Sequence, residues 1–440
     1  MSISAHRHRP GSVALVVTDV APFDLPLAQL RRRTSAKWQA AGPDVLPLWV
    51  AEMDVLPPRP VVEVVRDALE LGDTGYANGT EYAEAYAAFA ARRWGFDGFE
   101  VGRSAMVPDV MVGVAEVLKL VTGPGDAVVV TPPVYPPFYA FTEHLGRRVV
   151  EVPLTADGRL DVAELATAFA AATSSGRAAF LLCNPHNPTG TVHTPAELAA
   201  VAAAAEASGV RVVTDEIHAP LVLPGATFTP YLSVPGASRG ITLVSASKAW
   251  NLPGLKAAVA FAGPDAADDL ARLPAEVSHG PSHLGALAHT AALRFGDEWL
   301  DALLAGLDRN RALLGDLLAA HLPWVRWAPG EATYLAWLDF ADLPTTLAGT
   351  GDFAAADADP RGGAAAWLLE HARVLLSAGP AFGPGGERCA RLNFATSATV
   401  LTEAVERMAN AAGGGAAAGL QVGPERTSGP PPGPVARPRR

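Results

Sequence analysis

Lysine is the scarcest charge in this 440-residue chain. Of its 34 basic residues only four are lysine, namely Lys37, Lys119, Lys248 and Lys256, and all the others are arginine. Codon usage in a GC-rich genome accounts for the bias but not for where the four sit. Arginine does not deprotonate in proteins, so any chemistry that needs a neutral amine has four side chains to choose from. Cysteine is scarcer still. Cys183 and Cys389 cannot build a disulfide framework, and no CxxC pair offers a zinc site, so no metal is expected. No run of about 18 apolar residues is present, which argues against a membrane span. No apolar stretch ending in a small-residue cleavage site follows His6, Arg7, His8 and Arg9, so no signal peptide is expected and the cytoplasm is the expected compartment. Basic excess is also missing. The formal net charge is −11, which argues against nucleic acid as the main partner.

What is present is a large core. Hydrophobic residues make up 49% of the chain and charged residues 18%, the balance of a globular protein. Two or three domains are expected at roughly 150 residues each. The Gly- and Pro-rich tail from Gly413 to Arg440 reads as disordered, and Asp342–Gly363 reads as a surface loop. Between them, β-rich runs alternate with alanine-rich helical stretches. The expected strands are Ala127–Thr131, Arg148–Val152, Ala178–Cys183, Val210–Thr214, Ile241–Ser245 and Ala257–Phe261. The expected helices include Asp109–Val121, Asp161–Thr173 and Pro195–Ala207, the last capped by Thr194. Continuous apolar strands alternating with helices predict an α/β fold with a mostly parallel, buried sheet. After Pro264 the pattern changes. Long helices, then strands at Ala332–Asp339, Val374–Leu376 and Ala390–Phe394, predict a smaller α+β domain.

Ligands of open α/β sheets gather at the carboxyl ends of the strands. Three consecutive strand ends carry polar runs here: Asn184-Pro185-His186-Asn187-Pro188-Thr189-Gly190, then Asp215-Glu216-Ile217-His218, then Ser245-Ala246-Ser247-Lys248 followed by Asn251 and Gly254. Each run alone has a bland reading as a turn, a helix cap or a solvated lysine. Their order and spacing together are specific. From about Leu46 to Asn410 the chain resembles the fold-type I pyridoxal-phosphate (PLP) enzymes, the aminotransferase class I/II superfamily.

That resemblance implies a seven-stranded-type sheet with helices on both faces. It implies an N-terminal arm (1–48), a large PLP-binding domain (49–290), a small C-terminal domain (291–412) and a tail (413–440). It assigns Lys248 to condense with the coenzyme aldehyde and to act as the catalytic base. Asp215 would hold the pyridine nitrogen protonated, and Asn187 would donate to the phenolic oxygen. His218 stands where many relatives have a tyrosine that donates there too; its alternative is a locally satisfied histidine. Ser245 and Ser247 match the phosphate-binding hydroxyls. Lys256 stands where many relatives have an arginine, keeping the charge without the fork. Val110 and Met111 would offer backbone N–H groups to the phosphate, with Asp109 as their cap. Tyr135 would stack on the ring, unless it only packs in the core. Tyr76 would reach across a homodimer interface to the partner's phosphate, so that two chains share their active sites. Arg391 would grip the α-carboxylate of a small amino-acid substrate.

Leu48-Trp49-Val50-Ala51-Glu52-Met53-Asp54 resembles the signature of the cystathionine β-lyase-like C–S lyases. The implied reaction is α,β-elimination from an S-substituted L-cysteine, giving thiol, pyruvate and ammonia. Transamination uses the same base and the same cofactor and is the main alternative. A non-catalytic aminotransferase-like regulator is the remote one, since only about 50 residues precede the signature and the chain is acidic.

Overall fold

The computed structural model describes residues 22–342 and 363–413. Residues 343–362 of the expected loop and 414–440 of the expected tail lie outside the described residues, as does the start of the arm. The twelve strands described are β1 (Leu46–Pro47), β2 (Ser104–Val107), β3 (Ala127–Val130), β4 (Arg148–Glu151), β5 (Ala178–Cys183), β6 (Arg211–Asp215), β7 (Ile241–Val244), β8 (Ala258–Ala262), β9 (Leu335–Asp339), β10 (Val374–Leu375), β11 (Ser377–Ala378) and β12 (Cys389–Asn393).

Seven of them form one sheet in the order β2-β8-β7-β6-β5-β3-β4. The interior strands are apolar without alternation because both faces are covered. Along β5, Ala179, Leu181 and Cys183 pack with the helix Val110–Val121 on one side. Ala178, Phe180 and Leu182 pack with Val162–Thr173 and Pro195–Ser208 on the other. The period of two thus sends neighbouring residues into two different cores. The helix Pro195–Ser208 starts as its sequence predicts. Thr194 accepts the N–H of Glu197, and the Glu197 carboxylate accepts the N–H of Thr194. Such a box is worth about 1 kcal/mol.

Strand β8 runs antiparallel to both neighbours, β7 and β2. Its start therefore lies at the edge where the parallel strands end. β2 runs with β7, so it ends at that edge as well. Neither β2 nor the helices Arg59–Leu71 and Glu81–Trp94 is among the elements expected from sequence. β2 is a four-residue edge strand, three of whose residues are only half-buried, with no apolar run to mark it.

Toward the C-terminus, β11, β12 and β9 make an antiparallel sheet, and β1 pairs with β10. One apolar cluster joins this region to the long helix Asp297–His321, to Ala398–Ala411 and to Leu48, Met53 and Val244. Among the described residues no helix is long and apolar enough to cross a membrane, and no group of His, Cys, Asp and Glu could hold a metal ion.

Candidate active site

The register of the parallel strands sets Cys183 beside Asp215, and Asp215 beside Leu243. The three polar runs therefore leave the sheet at one edge, side by side. They are joined there by Pro108-Asp109 after β2, by the Tyr135 turn after β3, and by Lys256 just before β8. A cavity of about 270 Å³ opens between them, lined among others by Asp109, Val110, Met111, Tyr135, Asn187, Asp215, His218, Ser247, Lys248 and Lys256.

Lys248 is the amine at the centre. Its Nζ donates to the carbonyl of Ala51 at 3.0 Å. Burial pulls its pKa down to about 8, with the Arg391 charge adding to that and Asp215 opposing it. A lysine of this kind supplies far more neutral amine near neutrality than an exposed one. Asp215 is pushed the other way, up to about 6, chiefly by burial. Its carboxylate accepts the N–H of Ile217 at 3.0 Å. A buried carboxylate with a single neutral donor calls for a cationic N–H partner.

Arg391 lies on β12 and does not line the cavity itself, but it reaches the same loop. It donates to Asn187 Oδ1 at 3.0 Å, to the Trp49 carbonyl at 3.0 Å and to Ser377 Oγ at 3.2 Å, over the Phe382 ring. Its Nε is buried without a partner. Burial lowers its pKa to about 10, which still leaves it charged at neutral pH. His218 is buried, with Nδ1 unpartnered and its ring edge-on to Tyr334. Burial and the nearby Lys248 and Arg391 charges hold it neutral, so it faces the cavity as a donor or acceptor rather than a charge.

At the other end the helix Val110–Val121 points its N-terminus into the cavity. Asp109 caps it, accepting the Val112 N–H at 2.8 Å. The first N–H groups of a helix have no partner within it, which leaves Val110 and Met111 as donors. Ser247 lines this end, and Lys256 pairs with Asp109 at 2.9 Å. Ser245 departs from its expected place. It stands behind the cavity wall, donating to the Ala257 carbonyl at 2.8 Å and accepting the Ser247 N–H at 3.1 Å. It orients Ser247 rather than presenting its own hydroxyl. Tyr76 is also away from the cavity, 85% exposed on the surface.

These groups fit PLP. The helix N-terminus, Ser247 and Lys256 suit a phosphate, the buried Asp215 carboxylate suits a pyridinium N–H, and Lys248 is an amine kept reactive by burial. The chain matches the family model for aminotransferase class I and II over residues 43–408. The chain belongs to the class I and II aminotransferase family. A Mycobacterium leprae protein named "Putative cystathionine beta-lyase" is 58% identical over 397 residues, 88% of this chain and 97% of that one. The cystathionine beta-lyase of Corynebacterium glutamicum is 35% identical, covering 87% of this chain and 98% of its own. Among solved structures, a "putative plp-dependent beta-cystathionase" from Corynebacterium diphtheriae is 34% identical with a TM-score of 0.80. It covers 90% of this chain and 99% of its own. This member of the aminotransferase family is therefore a PLP-dependent enzyme with the fold-type I α/β architecture.

Several residues packed around the candidate site carry no motif. Tyr334 donates to Ala51 O at 3.1 Å beside Lys248. Tyr82 accepts the Ala246 N–H at 3.1 Å. Ser377 and Phe382 hold Arg391. They come from distant segments, and only the fold assembles them. Asn251 had a signal, its place after Lys248. Its left-handed φ of 56° lets its side chain grip both the N–H and the C=O of Met53, at 2.8 and 2.9 Å.

Proposed function

We propose that this enzyme cleaves the Cβ–S bond of an S-substituted L-cysteine by α,β-elimination, releasing a thiol, pyruvate and ammonia. One observation carries the reading beyond the relatives' names. The Trp49–Asp54 segment, which resembles the C–S lyase signature, is the strip on which the reactive groups rest. Trp49 O holds Arg391, Ala51 O holds Lys248, and Val50 O and Glu52 O hold Asn393.

Arg391 binds the α-carboxylate through its planar fork and fixes which face of Cα meets Lys248. Lys248, as the neutral amine beside Cα, would remove the Cα proton. Bound PLP supplies the electron sink for the pair left behind. Asp215 would hold the pyridine nitrogen of bound PLP protonated. Loss of the Cα proton to Lys248 would let the β-thiolate leave, taking up a proton as it goes. Water completes the balance, converting the remaining three-carbon unit to pyruvate and ammonia. Asn187, held by Arg391, would donate to the cofactor's phenolic oxygen, and neutral His218 would be able to do so without adding a charge.

The working unit we propose is a homodimer with shared sites. Val62 and Leu69, seven residues apart on one face of the helix Arg59–Leu71, are exposed apolar residues that a second copy would cover. Tyr76, which touches nothing in its own cavity, would then serve the partner's.

The deciding experiment supplies cystathionine and a panel of S-substituted cysteines without a keto-acid acceptor. Sustained, equimolar thiol and pyruvate establish the lyase. Turnover only with an acceptor establishes an aminotransferase and overturns the proposal.

A further inference from the structure

We infer that Asp109 sets how tightly this chain holds its cofactor, by keeping Lys256 as its own ion partner at the phosphate end of the cavity. The inference rests on the reading that the PLP phosphate lies at that end. Asp109 has two separate tasks in the structure. One oxygen accepts the Val112 N–H at 2.8 Å and caps the helix. The other takes Lys256 Nζ at 2.9 Å. Both side chains line the cavity.

The charge of this end is therefore cancelled before any phosphate arrives. Lys256 brings one positive charge and Asp109 one negative. A phosphate dianion entering there meets two arrangements. If Lys256 stays on Asp109, the phosphate has only the Val110 and Met111 N–H groups and the Ser247 hydroxyl. If Lys256 turns to the phosphate, the Asp109 carboxylate is left beside a dianion of the same sign. Each arrangement costs binding that a neutral residue at 109 would not. Lysine sharpens the conflict. A guanidinium can offer separate donors of one planar fork to two anions, whereas an ammonium on a flexible stem is a point charge. In a chain whose basic residues are nearly all arginine, a lysine at 256 opposite an aspartate at 109 makes the phosphate grip weak and the cofactor exchangeable.

The test compares the full-length wild type with Asp109→Asn, which keeps the capping acceptor and removes the charge. PLP is stripped and titrated back, with binding followed by absorbance and by quenching of tryptophan fluorescence. Pyridoxal, which lacks the phosphate, is the control. The expected result is that Asp109→Asn binds PLP about tenfold tighter, a gain of about 1.4 kcal/mol, with pyridoxal unchanged. Asp109→Ser, a second capping residue, behaves the same way. Lys256→Met weakens PLP more in the Asp109→Asn background than in the wild type. Equal or weaker PLP binding in both 109 variants overturns the inference. So does an equal gain for pyridoxal, because the charge would then not act through the phosphate. A wild type that takes up PLP while the variants show no change leaves the cofactor site standing and removes only the role of Asp109. A wild type that takes up no PLP removes the site and the inference together.

Discussion

Arg391 Nη1 donates to Asn187 Oδ1 at 3.0 Å, across 204 residues of sequence. A guanidinium has only donors, so the amide oxygen of Asn187 must face it and the amide nitrogen must face the cavity. The residue proposed to grip the substrate thus sets the orientation of the one proposed to hold the cofactor. Arg391→Lys keeps the charge but cannot reach Asn187, Trp49 O and the substrate carboxylate with one planar fork. It is expected to lower kcat/KM by about 10²- to 10³-fold, the loss of one or two charge-assisted hydrogen bonds, and to shift the absorbance of bound cofactor as Asn187 loosens. Steady-state kinetics and the cofactor spectrum check both halves, and a variant with unchanged kcat/KM would remove Arg391 from the substrate site.

Lys248→Ala is expected to retain the fold and lose turnover by at least about 10⁴-fold. Lys248→Arg is not expected to rescue it, because a guanidinium neither condenses with an aldehyde nor takes up a proton. Elimination assays on both variants, with circular dichroism as the fold control, test this; near-normal turnover in either variant would sink the assignment.

The pKa of about 8 at Lys248 makes cofactor uptake pH-dependent. The neutral amine is the reactive form, and its fraction rises through one half at about pH 8 and levels off about a unit above. Stripped enzyme is expected to recover PLP about 30-fold more slowly at pH 6.5 than on the plateau. Stopped-flow absorbance gives the profile. A midpoint above pH 10 would show a lysine that is not desolvated.

Glu216 is buried beside Asp215, and burial pushes its pKa up to about 8. Its Oε1 accepts from Asn184 and from the Tyr231 N–H, while Oε2 has no partner. The folded chain keeps this proton where the unfolded chain, with an ordinary carboxylic pKa, releases it. Its contribution is full below about pH 4.5 and is lost as pH rises through 8. Glu216→Gln is expected to flatten that loss, so its melting temperature gains on the wild type between pH 6 and pH 9. A parallel pH dependence in the two proteins would show Glu216 ionised in the folded state.

Lys37 is wholly buried and paired with Asp54 at 2.8 Å, and it also donates to Glu52 O. Trp38 Nε1 donates to the other Asp54 oxygen at 3.0 Å. This clasp pins the end of the strip that carries Ala51 and Trp49. Lys37→Met is expected to cost about 3 kcal/mol by leaving the Asp54 charge only the more distant Arg33 at 3.8 Å, and Lys37→Met with Asp54→Leu to regain most of it. Urea denaturation with an unchanged slope checks this, and a loss under 1 kcal/mol for the single variant would show the pair to be dispensable.

Much of the fold was legible where one physical signal stood alone. Strand β5 matches its expected span residue for residue because six apolar residues are bounded by Arg177 and Asn184. The helix from Pro195 was legible from Thr194 as its cap and Pro195 at its first position. The site was legible in outline because each parallel strand delivers whatever follows it to the same edge. Hence Asn187, Asp215, Ser247 and Lys248 could be named from spacing and resemblance, and all four line one cavity.

What depends on contacts between distant segments was not legible. The sequence offers Ser245 and Ser247 as equals, but the backbone turns one hydroxyl to Ala257 and the other to the cavity. It leaves Lys37 without a task, because its partner Asp54 is held by an arm that packs back only in the folded chain. By itself, then, the sequence determined the alternation of strands and helices, the order of the polar runs, and the small set of lysines from which a reactive amine could come. The tertiary structure decided which of those charges are buried and paired. It set Lys248 against Ala51, Arg391 against Asn187, and Lys256 against Asp109, because burial and distance, not residue type, decide what a charge does.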